Sequence, residues 1–104
     1  MKTFGLIGRN IDYSFSKSYF NTKFNNEAIK AKYINYDIEN IKEIKQIVSN
    51  SIELAGLNVT TPYKEEVIPF LDEIDSQAER IGAVNTIKIE NKKLIGYNTD
   101  VFGF

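Results

Sequence analysis

The run Ile52-Glu-Leu-Ala-Gly-Leu-Asn-Val-Thr-Thr-Pro-Tyr-Lys64 constrains this chain more than any other. Its first part, Ile52 to Asn58, is apolar enough to be a buried strand. A polar turn of Asn58, Thr60 and Thr61 follows. Pro62 then suits the first turn of a helix, because its missing N–H is not needed there and its φ is already helical. Thr61, just before it, is fitted to cap that helix. A strand that passes into a helix through a polar turn is the repeating unit of an open α/β sheet, where ligands bind at the carboxyl ends of strands. Asn58, Thr60 and Lys64 are therefore displayed where a ligand would sit. A capped turn carrying one solvated lysine reads the same residues without a ligand, and the stretch alone leaves both readings open.

The rest of the chain repeats the alternation. Thr3 to Gly8 reads as a short buried strand, ending in a loop from Arg9 to Phe15. Ser16 is placed to cap a helix in which Tyr19, Phe20, Phe24 and Ala28 fall near helical spacing. Ala31 to Ile38 alternates apolar and polar residues and reads as a strand near a sheet edge. Asn40 and Glu43 have capping-box spacing. Ile41, Ile44, Ile47 and Val48 then form one stripe, so 41–49 is expected to be an amphipathic helix. Pro62 to Phe70 is expected to be a short helix. Asp72 to Arg80 is expected to be another, capped by Asp72 or Asp75 and ended by Gly82. Ala83 to Glu90 and Lys93 to Tyr97 flank Asn91-Lys92, a hairpin signal. The predicted order, β-α-β-α-β-α-α-β-β, makes this an α/β protein. The expected architecture is a three-layer α/β/α sandwich, its mostly parallel sheet carrying one antiparallel strand near the C-terminus.

Composition excludes several kinds of chemistry. The 104 residues suffice for one compact domain, 1–104, with an ordinary core. There is no cysteine and no histidine. Disulfides, thiolate catalysis, Ser-His-Asp arrangements and most zinc sites are thereby excluded. Acid–base chemistry would have to use Lys, Asp, Glu or Tyr. A net charge of −1 with interspersed signs gives no basic footprint for nucleic acid. No apolar run approaches the ~18 residues of a membrane span. Met1 to Phe4 lacks the features of a secretory signal, so a cytoplasmic location is expected. The last residues, Val101-Phe102-Gly103-Phe104, are apolar and carry no terminating signal. The expectation is that a longer polypeptide continues beyond them, and that the apolar end drives weak self-association or a homodimer.

Three polar clusters follow strands: Ser14 and Ser16; Asn58, Thr60 and Lys64; and Asn98, Thr99 and Asp100. In a largely parallel sheet the first two share an edge, and a hairpin can return the third to it. Hydroxyls and amides would hydrogen-bond a polyhydroxylated or carboxylated small molecule. Lys64 beside Asp100 would make an acid–base pair. Each cluster has a plainer reading: the serines and Asp100 are also good helix caps. Asn85 is harder to dismiss, because an amide in an apolar strand needs partners. The acidic residues Glu65, Glu66, Asp72, Glu73 and Asp75 read as a solvated face, and no metal site is expected. The Tyr and Phe residues fall at core spacings and read as packing.

Four motifs together resemble a known family. Gly56-Leu-Asn-Val-Thr-Thr-Pro-Tyr-Lys64, Ile81-Gly-Ala-Val-Asn-Thr-Ile87 and Gly96-Tyr-Asn-Thr-Asp-Val-Phe-Gly-Phe104 occur in the order and approximate spacing of shikimate dehydrogenase. Ser14-Phe-Ser16, followed by Asn21, resembles that family's N-terminal substrate motif. Lys17 and Phe20 stand where the family often has Pro and His, which bears on the first helical turn more than on the serines. The resemblance implies the substrate-binding α/β domain of an enzyme that reversibly reduces 3-dehydroshikimate to shikimate with NADPH. It implies that Ser14 and Ser16 hold the substrate carboxylate, and that Asn58, Thr60, Asn85 and Asp100 bind ring hydroxyls and order the site. It also implies that Lys64, paired with Asp100, is the catalytic acid–base group. NADP(H) would be bound mainly by a second, Rossmann-type domain, because no G-x-G-x-x-G is present here. A quinate-active relative and a non-catalytic module for a hydroxylated carboxylate are the alternatives.

Overall fold

The structure is a computed structural model that describes residues 2–11, 16–51 and 53–99; for residues 16–18 only the backbone is described. Its centre is a six-stranded sheet. The strands are β1 (Lys2–Gly8), β2 (Ala31–Asp37), β3 (Leu54–Val59), β4 (Glu73–Ile74), β5 (Thr86–Glu90) and β6 (Lys93–Tyr97), ordered β2-β1-β3-β5-β6-β4. β1 is parallel to β2 and β3, and β4 is parallel to β6. β5 runs antiparallel to both β3 and β6, so it is the one reversed strand. The reversal comes from the Asn91-Lys92 turn, where both residues have the positive φ (51° and 64°) that a two-residue hairpin requires. β2 lies at the sheet edge, as its half-polar alternation predicts.

Among the described residues the α-helices are α1 (Ser16–Asn26), α2 (Ile44–Asn50), α3 (Tyr63–Glu66) and α4 (Ser76–Ile81). On one face of the sheet, Phe20 and Phe24 of α1 pack with Phe4, Leu6 and Tyr33. On the other, Ile7, Leu57, Val59 and Ile87 form the main core with Ile44, Tyr63, Val67 and Ala78. Strand side chains alternate between faces, so consecutive residues Leu6 and Ile7 serve opposite layers. The sheet is thus covered by helices on both sides, as the alternating pattern predicts.

Local chemistry sets the element ends. Asn40 accepts from the Lys42 N–H at 2.9 Å, and Glu43 returns a bond to the Asn40 N–H at 3.1 Å. This capping box opens a 3-10 turn, Ile41–Glu43, and the α-helix begins only at Ile44. Asp75 caps α4 by accepting from the Gln77 N–H, and Gly82 ends it at φ 79°, a left-handed conformation that glycine adopts without a Cβ penalty.

Four expectations need correction. Pro62 lies at the N-cap position after a cis Thr61–Pro62 bond, so the helix starts at Tyr63 and Thr61 does not cap it. The expected helix 62–70 is two pieces, α3 and a 3-10 turn at Ile68–Phe70, because Pro69 supplies no N–H to continue an α-helix. Residues 72–80 are not one helix: Glu73 and Ile74 pair with Ile95 and Gly96, which draws the segment onto the sheet before Asp75 starts α4. In α1, Tyr19 stands 56% exposed, outside the apolar stripe, and Ala28 lies beyond the helix end at φ 55°.

Candidate functional site

The sheet register assembles the site. Ile7 pairs with Val59, Asn58 with Thr86, and Thr86 with Tyr97. The carboxyl ends of β1, β3 and β6 and the start of β5 therefore lie along one edge. Backbone bonds continue the ladder past the strand ends. Thr60 N–H donates to Ile7 O (2.9 Å), Val59 N–H to Asn85 O (2.8 Å), and Asn85 N–H to Tyr97 O (3.1 Å). Val84 N–H donates to Lys64 O at 2.8 Å, tying α3 to the approach of β5. Asn58, Thr60, Lys64 and Asn85 are thus fixed relative to one another by main-chain bonds, independently of any ligand.

Asn85 lies in a bend just before β5, not inside the strand. Its Oδ1 accepts from Thr86 Oγ1 (3.0 Å), Thr99 N–H (3.0 Å) and Thr99 Oγ1 (3.3 Å). It therefore pins the segment leaving β6. Buried Asn98 helps, with Nδ2 donating to Ala83 O at 3.1 Å. Asn58, at the end of β3, accepts at Oδ1 from the Tyr33 hydroxyl at 3.1 Å. Thr60 is half-buried, with its methyl turned toward Gly8. Lys64 is half-buried in the first turn of α3, and among the described residues no carboxylate lies within ion-pair distance of it.

Burial governs the two buried phenols. Desolvation pushes Tyr33 up to about 12, and it also raises Tyr63, whose hydroxyl donates to Ile38 O at 2.6 Å. Both remain protonated donors at neutral pH.

Two hollows adjoin Asn58. One, about 230 Å³, lies among Phe4, Phe20, Phe24 and Tyr33. The other, about 240 Å³, runs over Gly56, Thr86 and Lys88. Hollows of 420 and 450 Å³ lie instead at the opposite sheet edge, around Ser51 and Glu53. Neither contains any of the expected site residues. No group of metal-ligating residues occurs among the described residues. No described helix is long and apolar enough to cross a membrane.

Of the expected site residues, the structure brings together Asn58, Thr60, Lys64 and Asn85. Ser16 opens α1, and its side chain lies outside the described residues. Ser14 and Asp100 also lie outside them, as do Val101 to Phe104, where self-association is expected. The core spacing of Tyr33 in the sequence predicts packing alone. Its bond to Asn58 crosses an intervening strand, and no local pattern signals it.

Residues 6–87 match the family model for the shikimate dehydrogenase substrate binding domain. The chain is 45% identical over 104 residues to a shikimate dehydrogenase (NADP(+)) of Methanococcus maripaludis, covering 98% of this chain and 37% of that protein. It superposes on a shikimate 5-dehydrogenase from Listeria monocytogenes, solved in complex with shikimate and NAD, with TM-score 0.85 and 31% identity over 99% of this chain and 36% of that one. It superposes equally on 5-ketofructose reductase of Gluconobacter, with TM-score 0.86 and 30% identity over 99% of this chain and 38% of that one. The chain therefore spans little more than a third of the length of these relatives.

Proposed function

The chain belongs to the shikimate dehydrogenase substrate-binding domain family, and on that premise we propose that it is the substrate-holding half of an NADP-dependent oxidoreductase. The reaction is the reversible reduction of 3-dehydroshikimate to shikimate. The observation that carries this is the fixed cluster of Asn58, Thr60, Lys64 and Asn85 at one sheet edge. In this reading domain 1–104 binds the substrate, and Ser14 and Ser16 hold its carboxylate. Asn58, Thr60, Asn85 and Asp100 hydrogen-bond the ring oxygens, amides and hydroxyls being suited to both donate and accept. Lys64, paired with Asp100, gives a proton to the carbonyl oxygen as that carbon is reduced, and takes it back in the reverse direction. Lysine fits this role in a chain without histidine.

The described residues do not fit a dinucleotide. Among the described residues no strand leads into a helix through a glycine-rich turn that could cradle a pyrophosphate. We assign NADP(H), which supplies the hydride, to a further domain, for which the greater length of the relatives leaves room. The location proposed is cytoplasmic. A second reading, a reductase of another polyhydroxylated ketone, is favoured by the likeness to 5-ketofructose reductase.

The test is turnover of the protein encoded by the complete gene. Shikimate oxidation with NADP is expected, and Lys64→Met is expected to lower kcat by about 10²–10⁴-fold, the usual worth of a general acid–base group, with little change in KM. Faster turnover of 5-ketofructose than of 3-dehydroshikimate would favour the second reading. Full activity of Lys64→Met would remove the lysine from the mechanism.

A further inference from the structure

Asn85 has three donors close by, whereas Asn58 is held by one group from two strands away. β1 separates β2 from β3. Leu6 pairs with Asn35 on one side and Asn58 on the other, so these three share a row and a face. Tyr33, two residues before Asn35, lies on that same face. Its side chain is long enough to cross β1 and reach Asn58. The ring is 3% exposed and stacks on Phe20 with centroids 4.8 Å apart and planes at 21°. Its main chain is clamped by Asn21, which accepts from Tyr33 N–H at 2.9 Å and donates to Tyr33 O at 3.1 Å. The phenol is therefore aimed, and among the described residues its hydroxyl bonds only Asn58 Oδ1. Leaving such a hydroxyl unpaired would be costly, which favours keeping the bond.

The bond has a consequence for Asn58. A primary amide carries one acceptor oxygen and two N–H donors, and a flip exchanges them. Oδ1 accepts from the Tyr33 hydroxyl, and Nδ2 has no partner among the described residues. We propose that Tyr33 is a positioning residue for the substrate site: its hydroxyl holds Asn58 Oδ1, turning Nδ2 outward to donate to an oxygen of the ligand. The site then selects at that point for an acceptor, such as a ring hydroxyl or carbonyl oxygen, and against a group that can only donate. This rests on the proposed function in taking shikimate as the ligand.

The experiment uses the protein encoded by the complete gene, with Tyr33→Phe, Asn58→Ala and the double variant. Shikimate affinity is measured by calorimetry, and the Asn58 side-chain amide is followed by NMR. Tyr33→Phe keeps the ring and is expected to weaken shikimate binding about three- to tenfold, the worth of one hydrogen bond. In the Asn58→Ala background it should weaken binding no further, a coupling that loss of packing alone would not produce. Without ligand, Tyr33→Phe should move the Asn58 side-chain amide signals and leave those of Asn85 in place. Unmoved Asn58 signals, or additive effects in the cycle, overturn the positioning role even where shikimate binds. A wild-type full-length protein that binds no shikimate overturns the proposed function and the ligand-facing role with it. If Tyr33→Phe does not fold, Asn58→Asp replaces it, keeping the acceptor for Tyr33 while removing the Nδ2 donor. That variant should fold and lose shikimate binding, and wild-type affinity would overturn the proposal.

Discussion

Gly8→Ala tests how tightly the fold and the site are coupled. Gly8 is the buried last residue of β1. A Cβ there would lie 2.6 Å from Ile11 Cγ2 and 2.6 Å from Thr60 Cγ2. Carbon atoms pack at about 3.5–4.0 Å, so each neighbour would have to yield by about 1 Å. Neither yields easily, because both side chains are β-branched and stiff at χ1. The Thr60 main chain is also held, its N–H by Ile7 O and its carbonyl by Tyr63 N–H at 3.0 Å. Alanine narrows the unfolded ensemble, which favours folding by about 0.4–1 kcal/mol. Overpacking costs about 1–3 kcal/mol and should win. For a domain of this size each kcal/mol lowers Tm by about 4–8 °C, so a central net loss of about 1.3 kcal/mol predicts a fall of about 5–10 °C. Relief through Thr60 also moves its hydroxyl, so shikimate affinity should fall as well. The assay is thermal unfolding by circular dichroism, with shikimate binding followed in parallel. Adding Thr60→Ser removes one obstructing methyl and should restore part of the lost Tm. A Gly8→Ala variant with wild-type Tm and an unmoved Thr60 amide resonance would refute the steric argument.

Further outcomes follow from the hydrogen bonds and the phenols. Asn85→Ala removes the acceptor of three bonds around Thr86 and Thr99. Hydrogen exchange at the Thr99 amide should accelerate by about tenfold or more, on the scale of a lost hydrogen bond; unchanged exchange would mean that Asn85 does not hold the exit of β6. At alkaline pH, Tyr33 and Tyr63 ionise near 10 in the unfolded chain and at higher pH when folded. The unfolded state releases protons first, so stability is full below about pH 10 and declines above it, toward about pH 12 for Tyr33. Urea midpoints between pH 9 and 11.5 should show that decline, and Tyr33→Phe with Tyr63→Phe should flatten it.

The alternation of strands and helices was legible because each buried element carries its own period, as in the stripe of Ile41, Ile44, Ile47 and Val48. The reversed strand was legible too, since Asn91-Lys92 is a local turn signal. Glu73–Ile74 was not, because a two-residue strand has no period and exists only through its pairing with β6. Pro69 was visible, but the apolar spacing of Val67, Ile68, Phe70 and Leu71 masked the break it imposes. At the proposed site, residue types point to Asn58, Thr60, Lys64 and Asn85. The orienting contact from Tyr33 depends on β1 lying between β2 and β3, a relation that only the assembled sheet supplies. Likewise, the bonds from Thr99 to Asn85 Oδ1 join residues 14 apart in sequence, and no local pattern signals them.

The most direct measurement is a titration of the 15N-labelled 104-residue chain with shikimate, followed through its backbone amides. Shikimate seated at the carboxyl edge of the sheet should move Asn58, Thr60, Lys64, Asn85 and Thr99 together, with one saturation curve. Shifts confined to Ser51, Glu53 and Asn91 at the opposite edge, or no shifts at saturating shikimate, would contradict the assignment of this edge as the substrate site.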